Sequence, residues 1–345
     1  MRDMQVCFSR VGSSAHFRDI DTLRSRGVAM PECYLFPDVR NSWWCGVSRG
    51  SVLVSGFVVE RTFSRLIPMA SVLRVARFGR ALHEPILSLM KPILAALSAR
   101  FAFILRIDVA LFDEDGERRQ RFEAALTSVG MQSVASRSYT RTLRVDLAGS
   151  GDELFARLSS STRRNVRAAE RAALTTAPIN DERLFPAMRQ LYVATFQRSS
   201  ADAPPIDFRR VLESVRYGQS ALFGVFAGHM AGDPEALVAF AWVRSNGDHA
   251  SYDVAASVRR ADLGRTPLSY PLLWRCLTWS REQGLSWMDL GGIPGPNVPS
   301  DSPLHAIAAF KRGFSDQELE VGREFRIEPN KTLASVARSV RQFLE

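Results

Sequence analysis

One segment near the carboxyl end, Trp287 to Phe314, combines residue types that could bind a ligand and act on it. It reads WMDLGGIPGPNVPSDSPLHAIAAFKRGF, a strand ending in two glycines, a loop, and a helix that ends in Phe-Lys-Arg-Gly-Phe. Adjacent glycines permit positive φ and let a ligand approach the backbone closely. Long ordered loops tend to be functional. We therefore predict a binding site here, against the alternative of a plain connection with Gly313 as a helix stop.

Lysine is scarce in this sequence, which draws attention to Lys311. Of the 45 basic residues, three are lysines (Lys91, Lys311 and Lys331) and the rest are arginines, an imbalance that GC-rich codon bias largely explains. An ammonium is a compact, titratable charge, whereas a guanidinium is planar and permanently charged. Lys311 lies in a turn flanked by phenylalanine and glycine. We predict that Lys311 is catalytic, with Phe310 beside it, rather than a surface lysine.

Arginines follow a helical period further upstream. Arg163, Arg167 and Arg171 recur at every fourth position and so share one face of a helix, with Arg164 beside them. Such a stripe predicts a track for the phosphates of RNA or of a nucleotide diphosphate. The alternative for each single arginine is a solvated surface position.

Three aspartates lie near predicted strand ends, where a carboxylate either accepts a proton from an amine or caps backbone amides. Asp108 and Asp253 are candidates for a general base, whereas the Gly-Gly turn after Asp289 favours capping for that residue. His305 lies on a mostly apolar helix, where a single histidine is more often structural.

The elements that must position these residues form two successive α/β patterns. The first, over residues 1–147, has predicted strands at Trp43–Val47, Val52–Arg61, Phe101–Asp108 and Tyr139–Leu147, and helices at Glu84–Arg100 and Asp113–Gly130. The second, over residues 148–316, has helices at Asp152–Leu174, Leu184–Arg198, Phe208–Tyr217 and Pro271–Gln283, and strands at Ser220–Ala227, Ala236–Val243, His249–Val254 and Leu285–Leu290. Helices, an antiparallel meander, and then a helix and a strand are typical of an acetyltransferase-like α/β (α+β) fold rather than of a doubly wound sheet. We expect residues 317–345 to complete the first domain.

Composition supports this size and limits the class of protein. The 345 residues are 46% hydrophobic and carry a net charge of +9, which suits two globular domains and excludes disordered and collagen-like chains. The charge predicts an anionic partner. Four cysteines, Cys7, Cys33, Cys45 and Cys276, lack metal-ligand spacing, so we expect neither a metal site nor a disulfide framework. Without a signal-peptide core or a long apolar run, we expect a cytoplasmic monomer that does not insert into membranes.

The run Asp289–Pro294 (DLGGIP) followed by Phe310–Phe314 (FKRGF) resembles the FemABX family of peptidyl aminoacyltransferases, in which D-[FL]-G-G precedes F-K-[KR]-G-F. Weaker matches at Arg163–Ala168, Val145–Leu147 and Leu105–Asp108 extend the resemblance over most of the chain. Since no charged heptad run occurs, the chain is similar to the shorter members that lack a coiled-coil arm.

The resemblance implies two acetyltransferase-like (GNAT-type) domains with mixed sheets flanked by helices. It implies transfer of an amino acid from aminoacyl-tRNA, as co-substrate and without a further cofactor, to a peptide or nucleotide-linked peptide acceptor. That acceptor would be a peptidoglycan precursor or a peptide antibiotic intermediate. Under the resemblance Lys311 meets a tRNA phosphate or the oxyanion, and the substrate or tRNA is bound by the arginine stripe together with Asp289, Gly291, Gly292 and Arg312.

Two departures concern the acceptor side. The Pro-Arg-Gly-Pro turn that is frequent in the family's first domain is replaced here by Arg77-Phe78-Gly79-Arg80, and no lysine precedes Lys91.

Two other functions remain open at this point. An acyl-CoA-dependent N-acyltransferase of the same fold would need R/Q-x-x-G-x-G/A, whereas Arg259–Thr266 (RRADLGRT) has one glycine and no small residue two positions after it. A non-catalytic RNA-binding protein would explain the charge but not the paired glycine and lysine motifs.

Overall fold

The computed structural model describes residues 4–26, 41–79, 90–136, 139–172, 174–198, 202–228, 230–258, 263, 266–295, 298–299 and 301–344. Cys33, Arg80, the first part of the predicted helix (84–89) and all but two residues of the Arg259–Thr266 segment lie outside these ranges. The chain forms two compact units, the first comprising Met1–Thr140 and Glu320–Glu345, the second Arg141–Leu319.

The elements of the amino-terminal part of the first unit include the predicted ones, together with three strands and one helix that the sequence patterns did not predict (4–10, 14–25, 71–79 and 132–134). They are β1 (Met4–Arg10), α1 (Ser14–Ser25), β2 (Ser42–Arg49), β3 (Val52–Phe63), β4 (Ser71–Gly79), α2 (Met90–Arg100), β5 (Ile104–Phe112), α3 (Gly116–Ser128) and β6 (Gln132–Val134). The strand predicted from Phe101 begins later, at Ile104, because Phe103 adopts a positive φ of 51°. Helix α3 begins after Asp115, whose carboxylate accepts hydrogen bonds from two amides of the first turn.

The second unit follows the predicted succession, except that its first helix is broken and two strands appear that the sequence patterns did not predict (174–178 and 317–320). Its elements are β7 (Arg141–Asp146), α4 (Gly151–Arg157), α5 (Ser160–Arg171), β8 (Leu174–Pro178), α6 (Phe185–Gln197), α7 (Phe208–Arg216), β9 (Ser220–Ala227), β10 (Leu237–Ser245), β11 (His249–Ser257), α8 (Ser269–Glu282), β12 (Trp287–Gly292), α9 (Leu304–Arg312) and β13 (Gln317–Glu320). The single helix predicted over Asp152–Leu174 is wrong. Leu158 and Ser159 have extended ψ angles near 150°, and the Ser159 hydroxyl then caps a new helix at Thr162.

The chain returns to the first unit through β14 (Glu324–Ile327) and ends in α10 (Lys331–Leu344). The first sheet has the strand order β1-β2-β3-β4-β5-β14-β6, and the second has β13-β7-β12-β11-β10-β9-β8. Read from β8, the second sheet repeats the order of the first. In each sheet the sixth strand is contributed by a segment distant in sequence, β14 in the first and β7 in the second. The second unit therefore begins at β7, earlier than the expected boundary after residue 147, because β7 pairs with β12.

Both faces of the second sheet are covered. One apolar cluster packs α8 and Ala308 of α9 against the sheet, and another packs α6 and α7 against the opposite face. As a result β10, in the meander, is buried along nearly its whole length. None of the described helices combines the length and apolar character needed to cross a bilayer.

Each sheet contains an adjacent parallel pair among the described strands, and these two pairs differ. In the first sheet β4 and β5 keep their register, with local shifts, from Ser71 opposite Ile104 to Gly79 opposite Phe112. In the second sheet the parallel register of β11 and β12 covers three residue pairs and ends at Ser251 and Asp289. Beyond that point β11 continues along β10 and β12 along β7. The second unit thus has a parallel pair whose register stops within the sheet.

Candidate active site

The candidate site lies where the register of β11 and β12 ends. The Gly-Gly segment at the end of β12 is held by a hydrogen-bonded turn. An oxygen of the buried Asp289 carboxylate accepts the Gly291 amide at 2.8 Å and the Thr142 hydroxyl. The same hydroxyl lies 3.0 Å from the Gly291 carbonyl oxygen. Asp289 therefore caps the turn, as the sequence indicated.

Glycine is favoured at position 291 by its backbone conformation, while the space around it would accept a Cβ at ordinary contact distances. Its φ is +77°, a backbone angle that residues other than glycine rarely adopt. A Cβ there would lie 3.5 Å from Lys311 Nζ and 3.6 Å from the Tyr252 carbonyl oxygen. The pairing of β12 with β7 is irregular between Asp289 and Gly292. This bulge turns the strand end toward Lys311.

Lys311 is held in the last turn of α9 with its ammonium against the strand end. Its Nζ donates a hydrogen bond of 2.8 Å to the Gly292 carbonyl oxygen, and the residue is 9% exposed. Burial lowers the pKa of Lys311 from its ordinary value of 10.5 to about 8, while the Asp289 carboxylate opposes that shift. An ammonium has three N–H donors, so one hydrogen bond leaves donors for a substrate. Near neutral pH Lys311 is still mostly charged and can release a proton more readily than an exposed lysine.

The turn after α9 joins this lysine to the amino terminus of α5. The Ser159 amide donates to the Gly313 carbonyl oxygen at 3.0 Å. A Cβ on Gly313 would lie 2.2 Å from Thr162 Oγ1, so the close approach of α5 requires glycine. The two segments that carried the family resemblance, around residue 163 and around Lys311, therefore contact each other in the folded unit.

Phe310 and Arg312, on either side of Lys311, make structural contacts. Phe310 packs in an aromatic cluster with Tyr270 and Phe314, at centroid distances of 4.9 and 5.4 Å. Arg312 Nε donates to Glu318 at 2.8 Å. These contacts hold the end of α9, and with it the position of Lys311.

The predicted arginine stripe divides into two parts. Arg164, Arg167 and Arg171 are exposed on α5 and remain available to phosphates. Arg163 is half-buried, and its guanidinium donates to the carbonyl oxygens of Ala156 and Leu158 at the end of α4. Arg163 thus ties α4 to α5 instead of extending the stripe.

The two candidate bases are each engaged by arginine. Both carboxylate oxygens of Asp253 accept hydrogen bonds from Arg244, one of them at 2.9 Å, and both side chains are nearly buried. Asp108 belongs to the first unit, is fully buried, and pairs with Arg326 at 2.7 Å and Arg106 at 3.1 Å. A carboxylate whose oxygens are engaged by guanidinium groups is not free to meet a substrate amine. The structure therefore favours a holding role for both aspartates.

Sequence reasoning missed Thr142 and Arg244, whose partners are distant in sequence or hidden within a β-meander. It correctly treated His305 as structural, since its Nε2 lies 3.0 Å from the Pro299 carbonyl oxygen and fastens the loop before α9. Within the described ranges, no group of three or more His, Cys, Asp or Glu side chains could hold a metal ion.

No family model matches the sequence, and no curated protein matches it significantly. Solved structures do match. FemX is 15% identical, with a TM-score of 0.70, and the match covers 85% of this chain and 89% of the FemX chain. L-PGS from Bacillus licheniformis is 13% identical with a TM-score of 0.58, covering 94% and 96%. A tandem GNAT protein from the clavulanic acid biosynthesis pathway is 12% identical with a TM-score of 0.53, covering 95% and 99%.

These matches show the fold of the chain. It consists of two acetyltransferase-like units with mixed sheets flanked by helices, and it shares its fold with FemX over most of its length. The predicted fold class is confirmed, and the resemblance drawn from the motifs holds at the level of the fold.

Proposed function

We propose that this protein is an aminoacyltransferase that moves an amino acid from aminoacyl-tRNA to the amine of a peptide acceptor. The observation that carries the proposal is the nearly buried Lys311 ammonium, fixed 2.8 Å from Gly292 O where the register of β11 and β12 ends. The acceptor class follows from the sequence resemblance, as a cell-wall precursor peptide or a peptide antibiotic intermediate. The FemX fold supports the same activity.

The reaction suits a site with a cation and no covalent nucleophile. The acceptor amine attacks the ester carbonyl of the aminoacyl group, the C–N bond forms, and the C–O bond to the tRNA ribose breaks. The amine loses a proton and the ribose oxygen gains one. An aminoacyl ester is already activated, so the enzyme contributes alignment and stabilisation of the tetrahedral oxyanion. Lys311 can hydrogen-bond to that oxyanion and protonate the departing ribose oxygen.

The exposed arginines of α5 would bind the tRNA backbone close to this lysine. Arg164, Arg167 and Arg171 lie on a helix whose first residues contact Gly313, two positions after Lys311. Arginine binds phosphate through paired N–H donors, and such contacts position a nucleic acid without reading its sequence. The terminal stem of an acylated tRNA could then lie along α5 with its aminoacyl end at Lys311.

The alternative is an acyl-CoA-dependent N-acyltransferase, in which a thioester would bind where the register of β11 and β12 ends. Its pyrophosphate-binding pattern would fall in Arg259–Thr266, of which Leu263 and Thr266 lie within the described residues. The two functions differ in their donor, and one experiment separates them.

The test is to incubate the protein with candidate peptide amines and either radiolabelled aminoacyl-tRNA or labelled acetyl-CoA. Transfer that RNase abolishes supports the proposal, whereas transfer that requires CoA overturns it. Lys311→Ala should lower kcat by about 10²–10³-fold, as the loss of one oxyanion donor does in other enzymes. The matched control is Lys91→Ala, an exposed lysine of α2, which should retain full activity. Normal turnover by Lys311→Ala would remove this lysine from the mechanism.

A further inference from the structure

The first unit contains a cavity that the transfer reaction does not use. It has a volume of about 370 Å³ and lies between the sheet, the turn after β3 and helix α10. Val72 of β4, Leu105 of β5 and Ala334 of α10 form its apolar floor within a small buried cluster. A cavity of this size accommodates a small molecule or the head of a larger one.

The wall of the cavity carries more positive than negative charge. Four arginines line it, Arg65, Arg106, Arg326 and Arg338, against one acidic residue, Glu328. Glu328 pairs with Arg338 at 2.7 Å. The buried Asp108 behind the wall pairs with two of these arginines, so four arginines face two carboxylates, and the remaining positive charge favours an anionic ligand.

Two of these arginines are held in place from behind by Asp108. One of its carboxylate oxygens accepts from Arg326 Nε at 2.7 Å, and the other lies 3.1 Å from Arg106 Nε. Asp108 is fully buried, so this fixed charge orients the guanidinium groups of two neighbouring strands. A guanidinium carries five N–H donors, so the contact through Arg326 Nε leaves donors for a ligand. The residue that the sequence suggested as a base thus acts here as a positioning residue.

Apolar side chains are exposed at the same end of the sheet. Phe63, which lines the cavity, is 51% exposed, and Met69 and Phe103 are 75% and 63% exposed. Phe63 pairs in register with Ser71, whose amide donates to the Phe103 carbonyl oxygen at 2.8 Å. Phe103 also has a φ of +51°, a conformation that is strained for an aromatic residue and is found mostly where function requires it.

We propose that this cavity binds the phosphate of an amphiphilic phosphate ester, with the apolar part of the ligand against Phe63, Met69 and Phe103. A tetrahedral phosphate presents several oxygens, which suits guanidinium groups from more than one direction better than a single planar carboxylate does. The ligand is either a soluble phosphate ester or the headgroup of an anionic lipid, since both present the same chemistry. This site belongs to the first unit and is independent of the transfer reaction at Lys311.

Calorimetric titration with short-chain phosphatidic acid, kept below its micelle concentration, tests the site in the full-length protein. The double variant Arg65→Gln/Arg338→Gln should raise Kd at least about tenfold, since each lost guanidinium removes charge-assisted hydrogen bonds. Arg18→Gln removes an exposed arginine of α1 that does not line the cavity, and it should bind like the wild type. Absence of binding, an unchanged Kd in the double variant, or equal weakening in Arg18→Gln would overturn the proposal.

Co-sedimentation with vesicles then identifies the source of the phosphate. Retention on phosphatidylglycerol vesicles but not on phosphatidylcholine vesicles, lost in Phe63→Ser/Phe103→Ser, assigns a lipid headgroup. Titration without vesicle retention assigns a soluble phosphate ester. Neither experiment contains aminoacyl-tRNA. A negative result would therefore overturn the phosphate site without affecting the proposed transfer reaction, and a failed transfer assay would not affect the phosphate site.

Discussion

Replacing Lys311 with methionine should stabilise the folded protein while abolishing transfer. If the Lys311 side chain contributed only its packing, it would stabilise the folded protein. Lys311 instead holds an ammonium in a nearly buried position, and burial lowers its pKa from 10.5 to about 8. Methionine fills a similar volume without a charge, so the substitution removes the desolvation cost of the ammonium.

The sign and size follow from proton linkage. Between pH 8 and 10.5 the unfolded chain keeps a proton on this lysine that the folded protein has released, so the free energy of unfolding rises with pH over that window. Below pH 8 the full cost is present, about 3 kcal/mol at about 1.4 kcal/mol per pH unit. Loss of the hydrogen bond to Gly292 O destabilises the variant by about 1 kcal/mol and offsets part of that gain. Lys311→Met should therefore gain about 2 kcal/mol at neutral pH.

Urea unfolding followed by tryptophan fluorescence measures this effect, because four of the six tryptophans lie in the second unit. The useful quantity is the difference between variant and wild type at neutral pH and at about pH 10, in which the titration of all other groups cancels. The advantage of Lys311→Met should shrink as the pH rises. Lys91→Met, at an exposed position of α2, should show no such trend.

Two results would contradict a desolvated ammonium at Lys311. If Lys311→Met were less stable than the wild type at neutral pH, or if its advantage did not change with pH, the ammonium would not be desolvated. The activity of the wild type gives a second check, because transfer that depends on protonated Lys311 should decline as the pH rises through about 8.

Three further substitutions test neighbouring contacts. Gly313→Ala should lower the free energy of unfolding by about 1–3 kcal/mol, because its Cβ would lie 2.2 Å from a threonine hydroxyl of α5; Gly295→Ala, with nothing within 4 Å, should be nearly neutral in the same urea titration. Thr142→Val should lower kcat roughly tenfold by loosening the Gly-Gly turn, and Thr142→Ser should restore it; an inactive serine variant would exclude the hydroxyl's role. Asp253→Asn should destabilise the protein by about 1–3 kcal/mol through its arginine partner but leave the pH dependence of transfer unchanged, and loss of the acidic limb would identify Asp253 as the base after all.

Local patterns predicted the elements whose burial is strong and uniform. The three strands of the meander, β9, β10 and β11, were placed within a few residues because their apolar runs are bounded by Gly- and Asp-containing turns. The break at Ser159 was missed, since serine in a polar helical pattern gives no signal of whether it caps a helix or continues one. Strands β7 and β14 join their sheets by pairing with strands that are distant in sequence. The residues of β7 and β14 alone do not predict that pairing.

The candidate site was also predictable from the sequence only in part. Lys311 could be found because its residue type is rare and its motif is distinctive. Thr142 could not, because its role depends on Asp289, 147 positions away. The sequence offered Asp108 as a candidate general base, whereas its arginine partner lies on β14, a strand that no local pattern connects with β5. Residue type indicated which side chains matter, while their roles depended on the partners that the fold brings to them.

The difference between the two parallel pairs explains why the site lies in the second unit. In each sheet the fifth strand carries an aspartate opposite an arginine of the sixth strand, Asp108 opposite Arg326 and Asp289 opposite Arg144. After Asp108 the chain continues as Val-Ala-Leu, and β5 keeps its pairing with β4 and β14. After Asp289 it continues as Leu-Gly-Gly, where a positive φ bulges the strand and the register with β11 ends. A paired strand end has its carbonyl oxygens occupied by neighbouring amides, whereas the bulged end presents the Gly292 oxygen to Lys311. The glycine pair therefore creates the position that the lysine fills, and the two features form one site.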